Sequence, residues 1–150
     1  MKPRKESRWT VMAITLRVRD LMEKTVVTID SGSTVAEAIK KMLNSNVWSL
    51  VVVKRGLPEG VVTERDLIRR CFGKGLVPDR LPVEKIMTSP LITIGPDATI
   101  REAMNLMMEK DIRRLFVVEE GKIVGRLTQG HLLESTLDVM SSLSSLTGQL

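Results

Sequence analysis

The chain has 150 residues, a formal net charge of +5 and an ordinary apolar share of 43%. That length suits one compact domain or two half-domains that share a core, and the composition excludes a disulfide scaffold, a collagen-like chain and long disorder. One Cys and one His exclude a Cys/His zinc cluster, and no apolar run is long enough to span a bilayer. We therefore expect a cytoplasmic protein with no bound metal and no membrane contact.

The basic charge is concentrated at the N-terminus. Residues 1–17 carry a net charge of +4, and the rest of the chain carries +1. Because there is no Tyr and there are only two Phe and two Trp, aromatic platforms for nucleic-acid bases are scarce, and we expect no nucleic-acid partner. The alternation of Met12, Ile14, Leu16 and Val18 predicts that the basic arm 1–17 leads, through a strand, into the unit that follows.

An internal repeat organises the rest of the chain. A shift of 65 residues aligns 18–68 with 83–133 without a gap, and 15 of the 51 pairs are identical, where chance gives roughly three or four. The predicted divisions are residues 18–72 for the first repeat, 73–82 for a linker with Gly and Pro, 83–135 for the second repeat, and 136–150 for a C-terminal helix or tail.

Both repeats have the same predicted order of elements. A short apolar run indicates a strand, and a Thr-x-x-Glu capping box at Thr34 or Thr99 indicates the start of a helix. A buried strand, a turn with Gly, another strand and a second helix from Thr63 or Thr128 follow. The fold class is therefore α+β, with two β-α-β-β-α units.

Apolar stripes on the predicted helices have two interpretations. Met104, Met107 and Met108 take the positions of apolar residues in the first repeat, so we assign them to the core and not to a pliable binding groove. Beyond the second repeat, an apolar stripe continues among serines. It fits either a helix that packs on a second chain or a frayed tail in 141–150.

The sequence offers little for catalysis. It lacks the motifs of phosphate loops, dinucleotide-binding turns and zinc proteases. A nucleophile–His pair would need His131, the one imidazole, whose counterpart in the first repeat is Asp66 at the start of a helix. We predict no enzyme.

The turn at residues 60–67 carries the clearest chemistry. Gly60 permits a close backbone approach, and Thr63 lies at a helix start, where free amides favour an anion such as phosphate. Asp66, one turn further, could accept two hydrogen bonds from a ribose diol. The alternative, that Thr63 is only an N-cap and Asp66 only a first-turn carboxylate, stays open.

The repeat and the Gly-x-x-Thr-x-x-Asp turn together resemble the CBS domain family. Two copies in one chain are similar to the tandem CBS pair, or Bateman module, and the resemblance covers residues 18–135. It implies two β-α-β-β-α units related by a pseudo-twofold axis, whose sheets pack together and leave two clefts. In the family, these clefts bind adenosine nucleotides or S-adenosylmethionine.

The resemblance implies that the first cleft combines residues of both repeats. Asp66 would hold the ribose hydroxyls, Thr63 the α-phosphate, and Arg114 would add charge-assisted contacts. The basic side chains favour AMP, ADP or ATP over S-adenosylmethionine, which is cationic at sulfur. The implied residues are Thr63, Arg65, Asp66, Leu91, Ile92, Ile112, Arg113 and Arg114.

The second implied cleft departs from the family pattern. His131 replaces the Asp, and Ser49 replaces the Arg, so we expect this cleft to be weak, empty or differently occupied. We expect Trp48 to fill it and not to stack on a base. The implied residues are Val26, Val27, Val47, Trp48, Ser49, Thr128 and His131.

These observations predict a non-catalytic adenine-nucleotide sensor. Occupancy would change the angle between two modules of a homodimer, or a surface that a protein partner recognises. One alternative is a scaffold that dimerises and binds partners without ligand. A third possibility is nucleic-acid binding through the basic arm and Trp9.

Overall fold

The structure is a computed structural model that describes residues 16–148. The elements form two β-α-β-β-α units, and the predicted α+β class is confirmed. The helices and strands are α1 (Val18–Leu21), β1 (Thr28–Asp30), α2 (Val35–Ser45), β2 (Ser49–Lys54), β3 (Leu57–Thr63), α3 (Glu64–Asp66), β4 (Thr93–Ile94), α4 (Ile100–Glu109), β5 (Arg114–Glu119), β6 (Lys122–Thr128) and α5 (Gln129–Thr147).

Helix α3 continues without a break into a π-helix at Leu67–Cys71 and a 3-10 turn at Phe72–Lys74. Two more 3-10 turns, at Pro78–Arg80 and Val83–Lys85, lead into the second repeat. At the other end of the chain, α5 is one helix as far as Thr147. The structure therefore has a helix and not a frayed tail as far as Thr147, while the packing of this helix on a second chain stays a prediction.

The two three-stranded sheets have the same topology. In each, the first strand is parallel to the second, and the second is antiparallel to the third. Both antiparallel pairs contain a register shift, at Val52/Val53 and at Val117/Val118. The sequence repeat therefore corresponds to a repeat of the backbone structure, including the register shift at equivalent positions.

The predicted capping boxes fix where α2 and α4 begin. The Thr34 hydroxyl accepts from the Glu37 amide at 3.2 Å, and the Glu37 carboxylate accepts from the Thr34 amide at 2.7 Å. Thr99 and Glu102 repeat both bonds at the same distances. An N-cap of this kind stabilises a helix by about 1 kcal/mol, because it satisfies amides that have no partner within the helix.

The segments that precede the two repeats are exchanged. Val18 lies in the core of the second repeat, with Ala103, Met107, Leu115, Val117 and Leu127. Its counterpart Val83 lies in the core of the first repeat, together with Ile86. We call residues 16–23 and 81–88 the lead-in segments. Each core therefore contains its own helices and strands and the lead-in segment of the other repeat.

This exchange corrects the prediction for the N-terminal strand. The described part of that segment does not extend the first unit, because Val18 begins α1 and its amide donates to the carbonyl of Ala98, at 2.8 Å, in the second repeat. Met12 and Ile14 lie outside the described residues. The sequence shows that the segment is apolar but not which of the two homologous repeats receives it.

The core assignment of the methionine stripe is right for Met107 and wrong for Met104 and Met108. Met107 is buried, whereas Met104 is exposed and Met108 is 76% exposed. Ala103 and Met107, four residues apart, face the sheet, and each residue next to them is turned away by about 100°. The helix therefore has one buried edge and a second, exposed apolar edge.

Candidate functional site

A cleft of about 610 Å³ is lined by residues of both repeats. That volume lies in the range of sites for small molecules, roughly 300–1,000 Å³. All eight residues of the predicted first cleft line it: Thr63, Arg65, Asp66, Leu91, Ile92, Ile112, Arg113 and Arg114. The fold thus brings together two groups of residues that are far apart in the sequence.

Asp66 is held at the floor of this cleft by three hydrogen bonds. Its Oδ2 accepts from the Thr63 amide at 2.9 Å and from the Thr63 hydroxyl at 3.1 Å, and its Oδ1 accepts from the Thr88 hydroxyl at 3.1 Å. The side chain is only 8% exposed. A carboxylate has about four acceptor positions, and Arg70 Nε also lies 3.7 Å from Oδ1, so a diol that takes two bonds would displace one of these donors, for example the Thr88 hydroxyl.

Thr88 is a part of the site that the sequence prediction missed. It belongs to the second lead-in segment, and its backbone pairs with Val61 of β3 through bonds of 2.8 and 2.9 Å. The approach is so close that a Cβ at Gly60 would lie 2.5 Å from the Thr88 carbonyl oxygen. Only glycine fits there, and Gly60 was the one signal in the sequence for this contact.

Six basic and three acidic side chains line the cleft. Arg70 is used structurally, because it donates to the carbonyls of Ile86 and Met87 at 3.1 and 2.8 Å. Within residues 16–148, no carboxylate lies within ion-pair distance of Arg65, Arg69 or Arg113. These three cations leave the cleft with a positive charge that is not paired at contact distance within residues 16–148, although the charge of Arg113 also acts on Glu64.

Arg114 is already paired across the two repeats. Its guanidinium donates to both carboxylate oxygens of Glu64, at 3.1 and 3.3 Å, and to the carbonyl of Trp48 at 3.3 Å. Burial raises the pKa of Glu64, but the hydrogen bonds and the charge of Arg114 outweigh it, and the pKa is lowered overall. Glu64 is therefore ionised at neutral pH and would share Arg114 with any phosphate in the cleft.

The residues predicted for the second cleft lie in β2 with its approach, in the chain before β1, and at the start of α5. Thr128 caps α5, accepting from the His131 amide at 3.2 Å, and Ser49 is buried. Val47 and Trp48 line a smaller depression of about 130 Å³ beneath α2, and Val27 packs against the first core. Val26 lies in the chain that enters β1.

Trp48 does not fill the second cleft, contrary to the prediction. Its side chain is 62% exposed. Its backbone carbonyl accepts from the Glu64 amide at 3.3 Å, which fixes the main chain while the indole extends outward.

An ion pair that the sequence prediction missed lies beside His131. Arg126 of β6 donates to Glu23 Oε2 through Nε at 2.8 Å and through a terminal nitrogen at 2.6 Å. His131 Nε2 lies 3.6 Å from the same oxygen. Arg126 and Glu23 are 103 positions apart and are brought together by the exchange of the first lead-in segment.

The described part of the chain contains no group of three or more His, Cys, Asp or Glu residues arranged to hold a metal ion. None of its helices combines the length and the apolar character that a membrane span requires. Cys71, the one thiol, is buried in the first core, and burial raises its pKa.

Comparison with known proteins gives consistent results. The family model of the CBS domain matches residues 18–73 and 83–138. CBS domain-containing protein YhcV of Bacillus subtilis is 32% identical over 130 residues, which cover 87% of this chain and 92% of that protein. MK0525 of Methanopyrus kandleri is 34% identical over 119 residues, covering 78% of this chain but only 61% of that protein.

Solved structures agree with the sequence matches. The crystal structure of a conserved protein from Pyrococcus horikoshii superposes with a TM-score of 0.77 at 36% identity. The superposition covers 83% of this chain and 95% of that one. The similarity therefore extends over both repeats.

Proposed function

Because the chain belongs to the CBS domain family, whose tandem pairs are generally regulatory modules, we propose that it is a non-catalytic sensor of an adenine nucleotide. One observation carries the proposal. A cleft of about 610 Å³ combines a buried carboxylate with three cations that have no ion-pair partner among residues 16–148. Those are the features that a ribose and its phosphates would need.

Each part of a nucleotide has a matching group in the cleft. Asp66 would accept from the ribose hydroxyls, with the Thr88 hydroxyl turning aside. Leu91, Ile92 and Ile112 supply apolar walls for adenine. Arg65, Arg69 and Arg113 would face the phosphates, which favours AMP, ADP or ATP over the cationic S-adenosylmethionine.

The Glu64–Arg114 pair offers a route from binding to a response. It joins the two repeats, and a phosphate that recruits Arg114 would release Glu64. A ligand shifts a conformational equilibrium only if it binds the two states with different affinity. The loss of this contact between the repeats would provide that difference.

A homodimer completes the proposal. Exposed apolar side chains recur at corresponding positions of the two repeats, so the surface itself has approximate twofold symmetry. Such a surface suits an isologous contact with a second copy. The corresponding pairs are Leu43 with Met108, Ile68 with Leu133, and Phe72 with Leu137.

A thermal-shift screen with AMP, ADP, ATP and S-adenosylmethionine tests the proposal. A nucleotide at 100 times its dissociation constant should stabilise the folded state by about 2.7 kcal/mol, which is a shift of several degrees at this size. At the same concentration the shift should be clearly smaller in the Asp66→Ala variant, because its affinity is lower. If none of the four compounds shifts the wild type, the sensor proposal is wrong.

A second candidate function is a ligand-independent scaffold, which the repeated apolar surface favours. It predicts a stable dimer by sedimentation with no ligand and no thermal shift with any adenosine compound. Leu43→Asp should weaken that dimer. An exposed polar position on the same helix, tested as Lys40→Asp, serves as the matched control.

A further inference from the structure

The two halves of the molecule contain the same backbone bridge at each cleft position. In the first, the Val61 amide donates to the Thr88 carbonyl at 2.9 Å, and the Thr88 amide donates to the Val61 carbonyl at 2.8 Å. In the second, Glu23 and Arg126 exchange the same two bonds, at 2.9 and 2.8 Å. Glu23 is therefore the structural counterpart of Thr88, and Arg126 is that of Val61.

Other backbone features are repeated there as well. A Cβ at Gly125 would lie 2.9 Å from the Glu23 carbonyl oxygen, as one at Gly60 would approach Thr88. Thr128 caps its helix as Thr63 does. The second position thus keeps the backbone of a cleft, and it differs from the first in its side chains.

Those side chains are charged and paired with each other. Where the first cleft has a Thr88 hydroxyl that donates to Asp66, the second has the Glu23 carboxylate bound to Arg126 at 2.6 and 2.8 Å. His131 takes the place of Asp66 and lies 3.6 Å from the same carboxylate. The Arg126 side chain is 17% exposed and the Glu23 side chain is 41% exposed, so the pair is buried at its Arg126 end and open to water at its Glu23 end.

We infer that Glu23, Arg126 and His131 close the second cleft from within and restrict the chain to one nucleotide. This inference rests on the proposed function for the identity of the ligand. A nucleotide entering there would meet a Glu23 carboxylate that Arg126 already occupies, would find His131 in the place of Asp66, and would have to separate a partly buried ion pair. Breaking such a pair is costly, because each charge then lacks its partner.

The test copies three side chains of the first cleft into the second. E23T/R126V/H131D places Thr, Val and Asp at the second cleft but adds none of the arginines that would face the phosphates in the first. Calorimetric titration with adenosine, which has no phosphate, therefore counts the bound nucleosides, and titration with AMP is run beside it. We expect one per chain in the wild type and two in this variant. Asp66→Ala, added to the variant, should weaken one of the two sites by roughly 5- to 150-fold and leave the other unchanged, which identifies the new site as the second cleft.

The reciprocal variant, V61R/T88E, installs the ion pair in the first cleft and leaves Asp66 in place. It should weaken nucleotide binding by roughly 10- to 100-fold, the range expected when a buried polar contact is lost and unpaired groups remain. Melting curves followed by circular dichroism establish that each variant is folded. If E23T/R126V/H131D does not fold, V61R/T88E decides alone, and unchanged affinity overturns the inference.

The outcomes separate this inference from the proposed function. Two sites in the wild type, or one site in the folded E23T/R126V/H131D variant, overturn the inference while the sensor proposal stands. No binding to the wild type with binding to that variant supports the inference and overturns the sensor proposal. No binding to either protein overturns both.

Discussion

The two cleft positions of this chain have the same backbone and opposite side-chain chemistry. At the first, the Thr88 hydroxyl donates to the Asp66 carboxylate, and the cleft around them has more basic than acidic side chains. At the second, the Arg126 guanidinium donates two hydrogen bonds to the Glu23 carboxylate. In a duplicated unit, the residues that the backbone conformation requires must be kept in both copies. Residues that face a cleft can change in one copy without altering the fold of either.

The lead-in segments explain why the two positions are linked. Thr88 and Glu23, which differ in charge, come from the second and the first lead-in segment, and each segment crosses to the other repeat. Neither cleft therefore belongs to a single repeat. A change in one lead-in segment alters the cleft of the opposite repeat and the packing of the opposite core.

The largest expected effect tests this exchange. Ile86 is fully buried in the first core, although by sequence it belongs to the second repeat. The Ile86→Ala variant should therefore lose about 2–5 kcal/mol of unfolding free energy. Its counterpart Leu21 is only partly buried, so Leu21→Ala is the milder control. Urea denaturation measures both. A loss below about 0.5 kcal/mol for Ile86→Ala would mean that this segment is a surface linker.

The second largest expected effect compares nucleotide binding after substitutions at the starts of α3 and α5. Asp66→Ala should weaken nucleotide binding by about 1–3 kcal/mol, because the ribose hydroxyls lose a buried acceptor. His131→Ala, at the corresponding position, should leave affinity unchanged. Calorimetric titration compares the two variants. Equal losses at both positions would show that the clefts are equivalent.

The smallest effect concerns Glu64. Because its pKa is lowered in the folded state, the ionised form stabilises the protein above the unfolded-state value of 4.5, and this contribution disappears as the pH falls through the folded-state pKa. The side chain is 41% exposed, so solvent screening limits the contribution to at most about 1 kcal/mol.

Glu64→Gln should therefore lower the unfolding free energy slightly at pH 7 and leave it unchanged at pH 3. The variant should also bind nucleotide a few-fold more tightly, because Arg114 is freed for phosphate. Urea titrations at the two pH values and calorimetry provide the measurements. A larger loss at pH 3 than at pH 7 would contradict the assigned sign.

Local sequence signals predicted the two β-α-β-β-α units and, in the first cleft, the roles of Thr63 and Asp66. The capping boxes at Thr34 and Thr99 depend on neighbours three residues away, so they can be identified without tertiary information. The resemblance to the CBS family supplied the pairing of Asp66 with the segment around Arg114. That pairing follows from the pseudo-twofold arrangement and not from any property of either segment alone.

The predictions that were wrong or incomplete have a common physical cause: they depend on how segments pair in the tertiary structure. A repeat does not indicate whether a lead-in segment packs on its own copy or on the other, so the place of Val18 was wrong. Glu23 and Arg126 are ordinary charged residues in the sequence, and they form a pair only because the segments cross. The exposure of Met108 depends on the rotation of α4 against its sheet, which a stripe of three methionines does not define.

A crystal structure with AMP tests the central claim, that the two cleft positions differ, most directly. We predict nucleotide density in the cleft of Asp66, with the Thr88 hydroxyl displaced from the carboxylate. We also predict that the Glu23–Arg126 pair remains intact at the other position. Nucleotide at both positions, or at the Glu23 position alone, would contradict this account.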